Sequence, residues 1–320
     1  MMLPHDTYLR SHAEGVHVID TGFHRPKFDA SYLITERGRA AFIDTGTNHS
    51  VPRLLGSLEA LGLAPANVDL VIATHVHLDH AGGVGLLMQH LPDARLVVHP
   101  RGAPHLVDPS ALMAGALAVY GQEEMTRSYG DVVGVDEERV IVTHDGMQLD
   151  FAGRLLLFID TPGHARHHHC IWDERTRGFF TGDTFGLSYR EFDTGRGAFL
   201  LPTTTPVQFE PDALRASVER MLGFDPRVMY LTHFGPVGDV QALGRHFLDM
   251  LDALVAIGLS LASAPGRHDK LRAALQSLYL ERLRVHGCTL SDAQIVDLLA
   301  LDIELNAQGM GIWLDRRASK

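Results

Sequence analysis

Apolar residues follow two rhythms along this chain. Short runs, Val16–Asp20, Tyr32–Thr35, Ala40–Asp44, Leu70–Ala73, Leu96–His99, Val140–Thr143, Leu155–Ile159, Gly178–Thr181 and Val228–Thr232, have strand length. Several are apolar throughout, as strands buried on both faces are. Between many of them apolar residues return three and four positions apart, in Val51–Gly62, Ala81–His90, Ser110–Tyr120 and Pro211–Leu222, which is the period of an amphipathic helix. Pro211 stands where a first-turn proline is tolerated. Alternating strands and helices predict an α/β chain over the first three quarters. From about Gln241 the strand rhythm stops. Leu243, Phe247, Leu251, Leu254 and Val255 begin a helical segment, and Leu271 to Val285 form a second that ends at Gly287. A third opens at Ser291, paired with Gln294 as in a capping box, and is expected to close near Gly309.

The candidate chemistry lies just past the strand runs. Thr74-His75-Val76-His77-Leu78-Asp79-His80 follows Leu70–Ala73 directly and leads into Ala81-Gly82-Gly83. In extended chain, residues two apart share a face, so His75 and His77 can address one ion, while a turn into helix presents Asp79 and His80 to a second. Gly82 and Gly83 let the backbone bend beneath them. The competing view is a polar strand end with solvated histidines. Three further runs lead to metal-competent residues: Leu155–Asp160 to His164 through Thr161-Pro162-Gly163, Gly178–Gly182 to Asp183, and Val228–Thr232 to His233. The carboxyl ends of strands are where α/β sheets place ligand crevices.

Composition sharpens this picture. Hydrophobic residues are 45% and charged residues 21%, as in an ordinary globular protein. Lys and Arg number 28 against 39 Asp and Glu, a net charge of −11, so no positive field is available for nucleic acid or anionic lipid. Neither is expected as a partner. Twenty histidines stand against two cysteines, Cys170 and Cys288, which cannot build a disulfide framework. A reducing cytoplasm is the expected compartment, since Met1 to Gly15 lacks the apolar stretch of a secretory signal and no segment reaches membrane-spanning length.

His-x-His-x-Asp-His, then Thr-Pro-Gly-His, Phe-Thr-Gly-Asp-Thr and Leu-Thr-His, in that order over roughly residues 16–240, resemble the metallo-β-lactamase-fold hydrolase superfamily. The resemblance implies an αββα sandwich with a dimetal site at one edge. It implies a catalytic domain over 1–240, with a helical insertion at about 101–139, and a helical C-terminal segment over 241–320. It also implies that His75, His77 and His164 hold one metal, that Asp79, His80 and His233 hold the other, and that Asp183 bridges both. Asp44, in Phe-Ile-Asp-Thr-Gly, resembles the family's early aspartate, a supporting residue and not a ligand. Five imidazoles and two carboxylates without a thiolate suit two divalent transition ions. Zinc is the first expectation, with iron or manganese as alternatives.

Such a pair of ions shares a bridging water that becomes a hydroxide near neutral pH, with Asp79 beside it to accept or relay a proton. Members that hydrolyse β-lactams lack the bridging aspartate, flavodiiron members carry glutamate where His77 stands, and the charge of −11 weighs against an RNA substrate. Phe180-Thr181-Gly182-Asp183-Thr184 is most similar to hydroxyacylglutathione hydrolases and related thioesterases. The expected activity is hydrolysis of a small acyl substrate, a thioester or ester. An acyl-homoserine-type lactonase is kept as an alternative, although Gly186 stands where those enzymes place tyrosine. A diiron protein reducing oxygen or nitric oxide, and a regulatory effector whose helical tail occludes the site, are the others. The oligomeric state is not legible.

Around these residues, His168 either orients a ligand or, with His167 and His169, is an ordinary strand residue. Cys170 reads as a small buried hydrophobe. Tyr189 and Arg190 read as surface loop residues, with a pocket-lining role as the alternative. Tyr120, Tyr129 and Trp313 read as packing, or as cover for an acyl group.

Overall fold

The computed structural model describes residues 4–204 and 208–319, apart from the side chains of Val119 and Tyr120. The chain divides into two compact units. The first comprises Met1–Asp160, His167–Gly182 and Arg227–Pro236, and the second Thr161–Arg166, Asp183–Pro226 and Val237–Lys320.

The first unit is built on two sheets. In one, β1 (Leu9–Ser11), β2 (Val16–Asp20), β3 (Ala30–Glu36), β4 (Arg39–Ile43), β5 (Val68–Ala73), β6 (Arg95–Val98) and β7 (Val140–Val142) lie in chain order. Pairing is antiparallel from β1 to β4 and parallel from β4 to β7. The parallel half follows from the crossover helices α1 (Val51–Ala60), α2 (Leu78–Ala81) with α3 (Val84–His90), and α4 (Ala103–Val107) with α5 (Ser110–Ser128). The other sheet runs β13 (Gly235–Val237), β12 (Val228–Leu231), β11 (Gly178–Gly182), β10 (His169–Asp173), β9 (Arg154–Asp160), β8 (Gln148–Phe151).

Two-residue alternation sorts the core. Ile19, Leu33, Phe42, Val71 and Leu96 face Leu54 and Leu58 of α1 and Leu87 and Met88 of α3. Their neighbours Val18, Ile34, Ile43, Ile72 and Val97 face Phe158, Ile171, Phe180 and Tyr230 of the second sheet. Strands with apolar partners on both faces read as unbroken apolar runs. β8 and β10 escape that signal. β10 opens on His169 and closes on Asp173, a fully buried carboxylate held by the buried Arg154 at 3.0 Å from Nε and by Thr176 Oγ1 at 2.6 Å.

One carboxylate ties the strand ends together. Asp44 directly follows β4 with φ of +54°, a conformation Asp tolerates better than most residues. Its N–H donates to Ile72 O at 2.8 Å, and Ser31 Oγ donates to its carbonyl at 2.8 Å. Its carboxylate accepts from the Thr74 N–H at 2.8 Å, from Thr74 Oγ1 at 2.9 and 3.0 Å, and from Thr232 Oγ1 at 2.9 Å. Thr74 follows β5 and Thr232 follows β12, so both sheets end on the same group.

A second clamp crosses the sandwich. His169 donates its N–H to Thr74 O at 3.0 Å and its Nε2–H to Ala73 O at 2.9 Å, while Thr143 Oγ1 sits 2.9 Å from Nδ1. Burial, aided by the nearby His99, pushes the imidazole down to about 3.

The second unit is helical: α6 (Pro211–Leu222), α7 (Val240–Ser260), α8 (Arg267–His286), α9 (Asp292–Leu298) and α10 (Ala300–Ala318). Ser291 caps α9, with Gln294 completing the box as expected. The helical run does not close near Gly309, however. It breaks at Leu299 and resumes as α10 through Gly309 to Ala318, because Ile303, Ala307, Met310 and Leu314 continue one buried stripe across the glycine. Tertiary packing of that stripe outweighs a glycine penalty of about 1 kcal/mol. Gly163 has φ of +132°, and a Cβ there would lie 2.2 Å from Leu214 N, so only glycine lets loop 161–166 close on α6. Glu210 N–H to Gly163 O at 2.8 Å and Ser217 Oγ to Pro162 O at 2.7 Å fasten it. No helix among the described residues is long and apolar enough to cross a membrane.

Two outcomes follow from the clamps. Asp44→Asn exchanges one acceptor oxygen for an amide that cannot accept, leaving buried donors unmatched. Denaturant unfolding of metal-free protein should show a loss of about 3 kcal/mol, and a loss under about 1 kcal/mol would remove Asp44 as the brace. For His169 the folded pKa lies below the unfolded one, so the unfolded state takes the extra proton. The linked stability is present above about pH 6.5 and declines as pH falls towards 3. Between pH 7.5 and 5 wild type should lose about 2 kcal/mol more than His169→Gln, and equal losses in denaturant titrations at the two pH values would refute the assignment.

Candidate metal centre

β5 ends at Ala73, and the chain stays extended through His77 (φ −64°, ψ 148°) before α2 begins at Leu78. That switch is what the spacing predicts. His75 is buried, and its Nδ1 lies 3.1 Å from Thr74 Oγ1, whose own hydrogen goes to Asp44. The His75 proton therefore sits on Nδ1, and Nε2 presents a lone pair. That nitrogen is 2.8 Å from His77 Nδ1. The ring of His168 stacks on His75 at 4.8 Å. Gly182 makes room for it, since a Cβ there would stand 2.5 Å from His168 Nε2 and 2.6 Å from Thr74 Oγ1.

Asp79, His80 and His233 form the clearest group. His80 Nδ1 faces the Asp44 carboxylate at 2.9 Å, and His233 Nδ1 donates to Phe28 O at 2.9 Å. Both partners accept only, so each imidazole keeps its proton on Nδ1 and aims the Nε2 lone pair at Asp79. Asp79 Oδ2 is 3.8 Å from His80 Nε2 and 3.4 Å from His233 Nε2. All three ligand atoms lie within 4.8 Å of one another. Ligand atoms about 2.1 Å from a tetrahedral ion stand about 3.4 Å apart, so this set fits a transition metal.

In the second unit the same logic orders His164 and Asp183, both buried. His164 Nδ1 donates to Thr203 O at 3.2 Å, and its Nε2 is 3.3 Å from Asp183 Oδ2, again a separation for two ligands of one ion. Thr184 Oγ1 donates to Thr161 O at 3.3 Å, joining the two loops that carry them.

A buried acid beside the first group was not legible from the sequence. Asp29 is fully buried and accepts from Thr21 Oγ1 at 2.8 Å. Burial pushes its carboxyl up to about 7, against the pull of His233 and His80. Phe28 O and Thr203 O also go unseen, because a carbonyl acceptor carries no residue signature. Thr74 and Thr232 flank motif residues, and a hydroxyl beside a metal-competent residue is a readable sign of an orienting donor.

One expectation changes in the structure, and the readings of Trp313, Tyr129 and Cys170 as packing residues hold. Tyr189 is not on the surface. It is 1% exposed and donates to Asp302 at 3.1 and 3.2 Å. Arg190 turns back to Ser188 O at 2.8 Å. Trp313 packs edge-on to Phe209 and against Gly258, while Tyr129 is buried with its ring 5.6 Å from Phe23. The side chain of Tyr120 lies outside the described residues. Cys170 is a buried thiol directed at Thr181 O at 3.4 Å.

The family model described as metallo-beta-lactamase superfamily matches residues 24–233. The metallo-beta-lactamase fold-containing protein ST1585 of Sulfurisphaera tokodaii is 26% identical over 242 residues, 74% of this chain and 84% of its own length. Its crystal structure matches with a TM-score of 0.59 at 24% identity, covering 75% of this chain and 87% of that one. A hydroxyacylglutathione hydrolase of Aeromonas hydrophila is 27% identical over 211 residues, 65% of this chain and 63% of the relative. The human acyl-coenzyme A thioesterase MBLAC2 is 27% identical over 192 residues, 54% and 64% respectively. The chain thus spans less than two thirds of the last two relatives. The expected αββα fold class is met, with two mixed sheets, flanking helices and C-terminal helices after them. On the family match and the fold, the chain belongs to the metallo-β-lactamase superfamily.

Proposed function

We propose that this chain is a dimetal hydrolase of a small thioester or ester, zinc being the favoured ion. His75, His77 and His164 would hold one ion, Asp79, His80 and His233 the other, and Asp183 would bridge them. The observation that carries this is the Asp79–His80–His233 group, whose imidazoles are fixed in the metal-binding tautomer by Asp44 and Phe28 O. Bound ions of this kind supply a water acidic enough to deprotonate near neutral pH and a Lewis acid for the carbonyl oxygen.

The protein's own share is positional. Asp79 directs Oδ2 at two imidazoles and holds Oδ1 as the atom to take a proton during attack on the carbonyl. His75 and His80 are fully buried, so their lone pairs do not have to shed bulk water when a ligand binds. The names of the hydroxyacylglutathione hydrolase and of MBLAC2 favour thioesters. The buried thiols Cys170 and Cys288 support a reducing, cytoplasmic setting, and the charge of −11 supports a small substrate over nucleic acid or membrane.

Elemental analysis without chelators should find close to two transition-metal ions per chain, and no more than one after reconstitution would contradict the assignment. Asp183→Ala should lower occupancy at both positions and reduce kcat/KM on the order of a hundredfold or more. Unchanged occupancy would exclude Asp183 as the bridge. Imidazole ligands must be neutral, so kcat/KM should climb from acid pH to a plateau at or above neutrality, whereas an acid optimum would count against the mechanism. Measured side by side, thioester or ester hydrolysis should exceed β-lactam and phosphodiester cleavage and O₂ uptake. A tenfold lead for the phosphodiester or for O₂ would overturn the function and leave the metal site standing.

A further inference from the structure

A cavity of about 500 Å³ opens in the first unit, and its wall is unlike the rest of the chain. Its lining includes Arg53 and Arg127, His24 and His49, and the small polar residues Thr47 and Ser50. Among the described residues no carboxylate lines it, and the carboxylates nearest its two guanidinium groups, Asp20 and Glu124, stand outside its lining.

The wall is joined to the metal centre. The His24 ring meets Phe28 edge-on at 5.2 Å, and Phe28 meets His233 edge-on at 5.4 Å. Thr47 belongs to the loop whose Thr45 N–H donates to His80 O at 2.7 Å and whose Gly46 O accepts from Gly83 N–H at 2.8 Å. One ring therefore separates the cavity from a candidate ligand.

Arg53 is built into this wall. Its Nη1 donates to Asp20 O at 2.8 Å, its guanidinium lies 5.5 Å from the Tyr8 ring centre, and a Cβ on Gly22 would come within 2.4 Å of its Cζ. The nearest carboxylate, Asp20, is 3.6 Å away and already accepts from Gly22 N–H and Lys27 N–H, both at 2.9 Å. Asp20 therefore compensates the guanidinium only in part. Arg127 is largely exposed at the rim, where Glu124 pairs with it and also accepts from Ser128 Oγ. The Thr21 and Ser128 hydroxyls already donate to Asp29 and Glu124, so the guanidinium groups, the usual receptors for phosphate and carboxylate oxygens, carry the recognition.

We propose that this cavity seats the anionic end of the substrate's leaving group, so that the enzyme takes thioesters of a charged carrier thiol in preference to neutral ones. This rests on the thioester reading above. Phosphate and carboxylate share the recognising chemistry, and Glu124 competes with either for Arg127.

The test compares kcat/KM for one acyl group on coenzyme A, on glutathione and on uncharged N-acetylcysteamine, in wild type, Arg127→Gln and Glu124→Gln. At least one charged carrier should lead the uncharged one by about tenfold. The charged-to-uncharged ratio should fall about fivefold in Arg127→Gln, a modest factor because the side chain is well solvated, and should rise in Glu124→Gln. The coenzyme A arm leading identifies phosphate, and the glutathione arm carboxylate. Equal rates on all three carriers with the ratio unmoved by either variant would overturn the proposal while sparing the thioester function. If no thioester is cleaved, that function fails, and the cavity is then judged by calorimetric titration of metal-loaded protein with adenosine 3′,5′-bisphosphate and S-methylglutathione. Binding weakened by Arg127→Gln and strengthened by Glu124→Gln sustains it, whereas no binding, or binding indifferent to both, overturns it.

Discussion

The carboxylate of Asp44 accepts from a backbone N–H, two threonine hydroxyls and an imidazole, all without contact with water. Removing a carboxylate from water costs several kcal/mol, and only a full set of donors offsets that. Here the donors come from the ends of β5 and β12 and from α2, so the group is satisfied only when both sheets and the motif helix are in register. Fold and site are therefore one constraint. The left-handed backbone at Asp44 brings its side chain beneath these donors, and the strain is tolerated because the network fixes it from several sides.

The same network sets the chemistry. An imidazole in water exchanges its proton between two nitrogens, and a metal site needs one of them bare. Asp44 removes that ambiguity for His80, Phe28 O does so for His233, and Thr203 O does so for His164. The lone pairs are in place before an ion arrives, so little reorganisation opposes binding. Asp29 adds a further element beside His233 and His80. Burial pushes its carboxyl up to about 7, and a cation held by the neighbouring residues would favour the charged form, through the same attraction that His233 and His80 exert.

Much of this was legible because the candidate ligands follow strands. His75, His77, Asp79, His80, His164, Asp183 and His233 all stand just past an apolar run, and the runs themselves are strands in the structure. What escaped has a common physical origin. Carbonyl acceptors carry no side-chain code. Tyr189 reads as a surface residue from sequence because its partner, Asp302, is 113 positions away. Gly309 looked like a helix stop because the buried stripe that overrides it depends on tertiary contacts, not on local propensity. β10 was hidden by its polar ends, which are buried only because Arg154 and Ala73 O meet them.

Histidine abundance is, for the same reason, a poor count of metal ligands. His169 is as buried as His80 and a few residues from His164 in sequence, yet both of its nitrogens are engaged by Ala73 O and Thr143 Oγ1, and burial keeps it neutral far below the usual imidazole range. It can offer no lone pair without breaking a strand clamp. His80, His164 and His233 spend one nitrogen on a fixed acceptor and turn the other towards a carboxylate. Two acceptors facing each other at 3.3 to 3.8 Å repel unless a cation lies between them. What separates His80, His164 and His233 from the core His169 is thus the partner on the second nitrogen, an aspartate for the three and a group that holds the fold for His169.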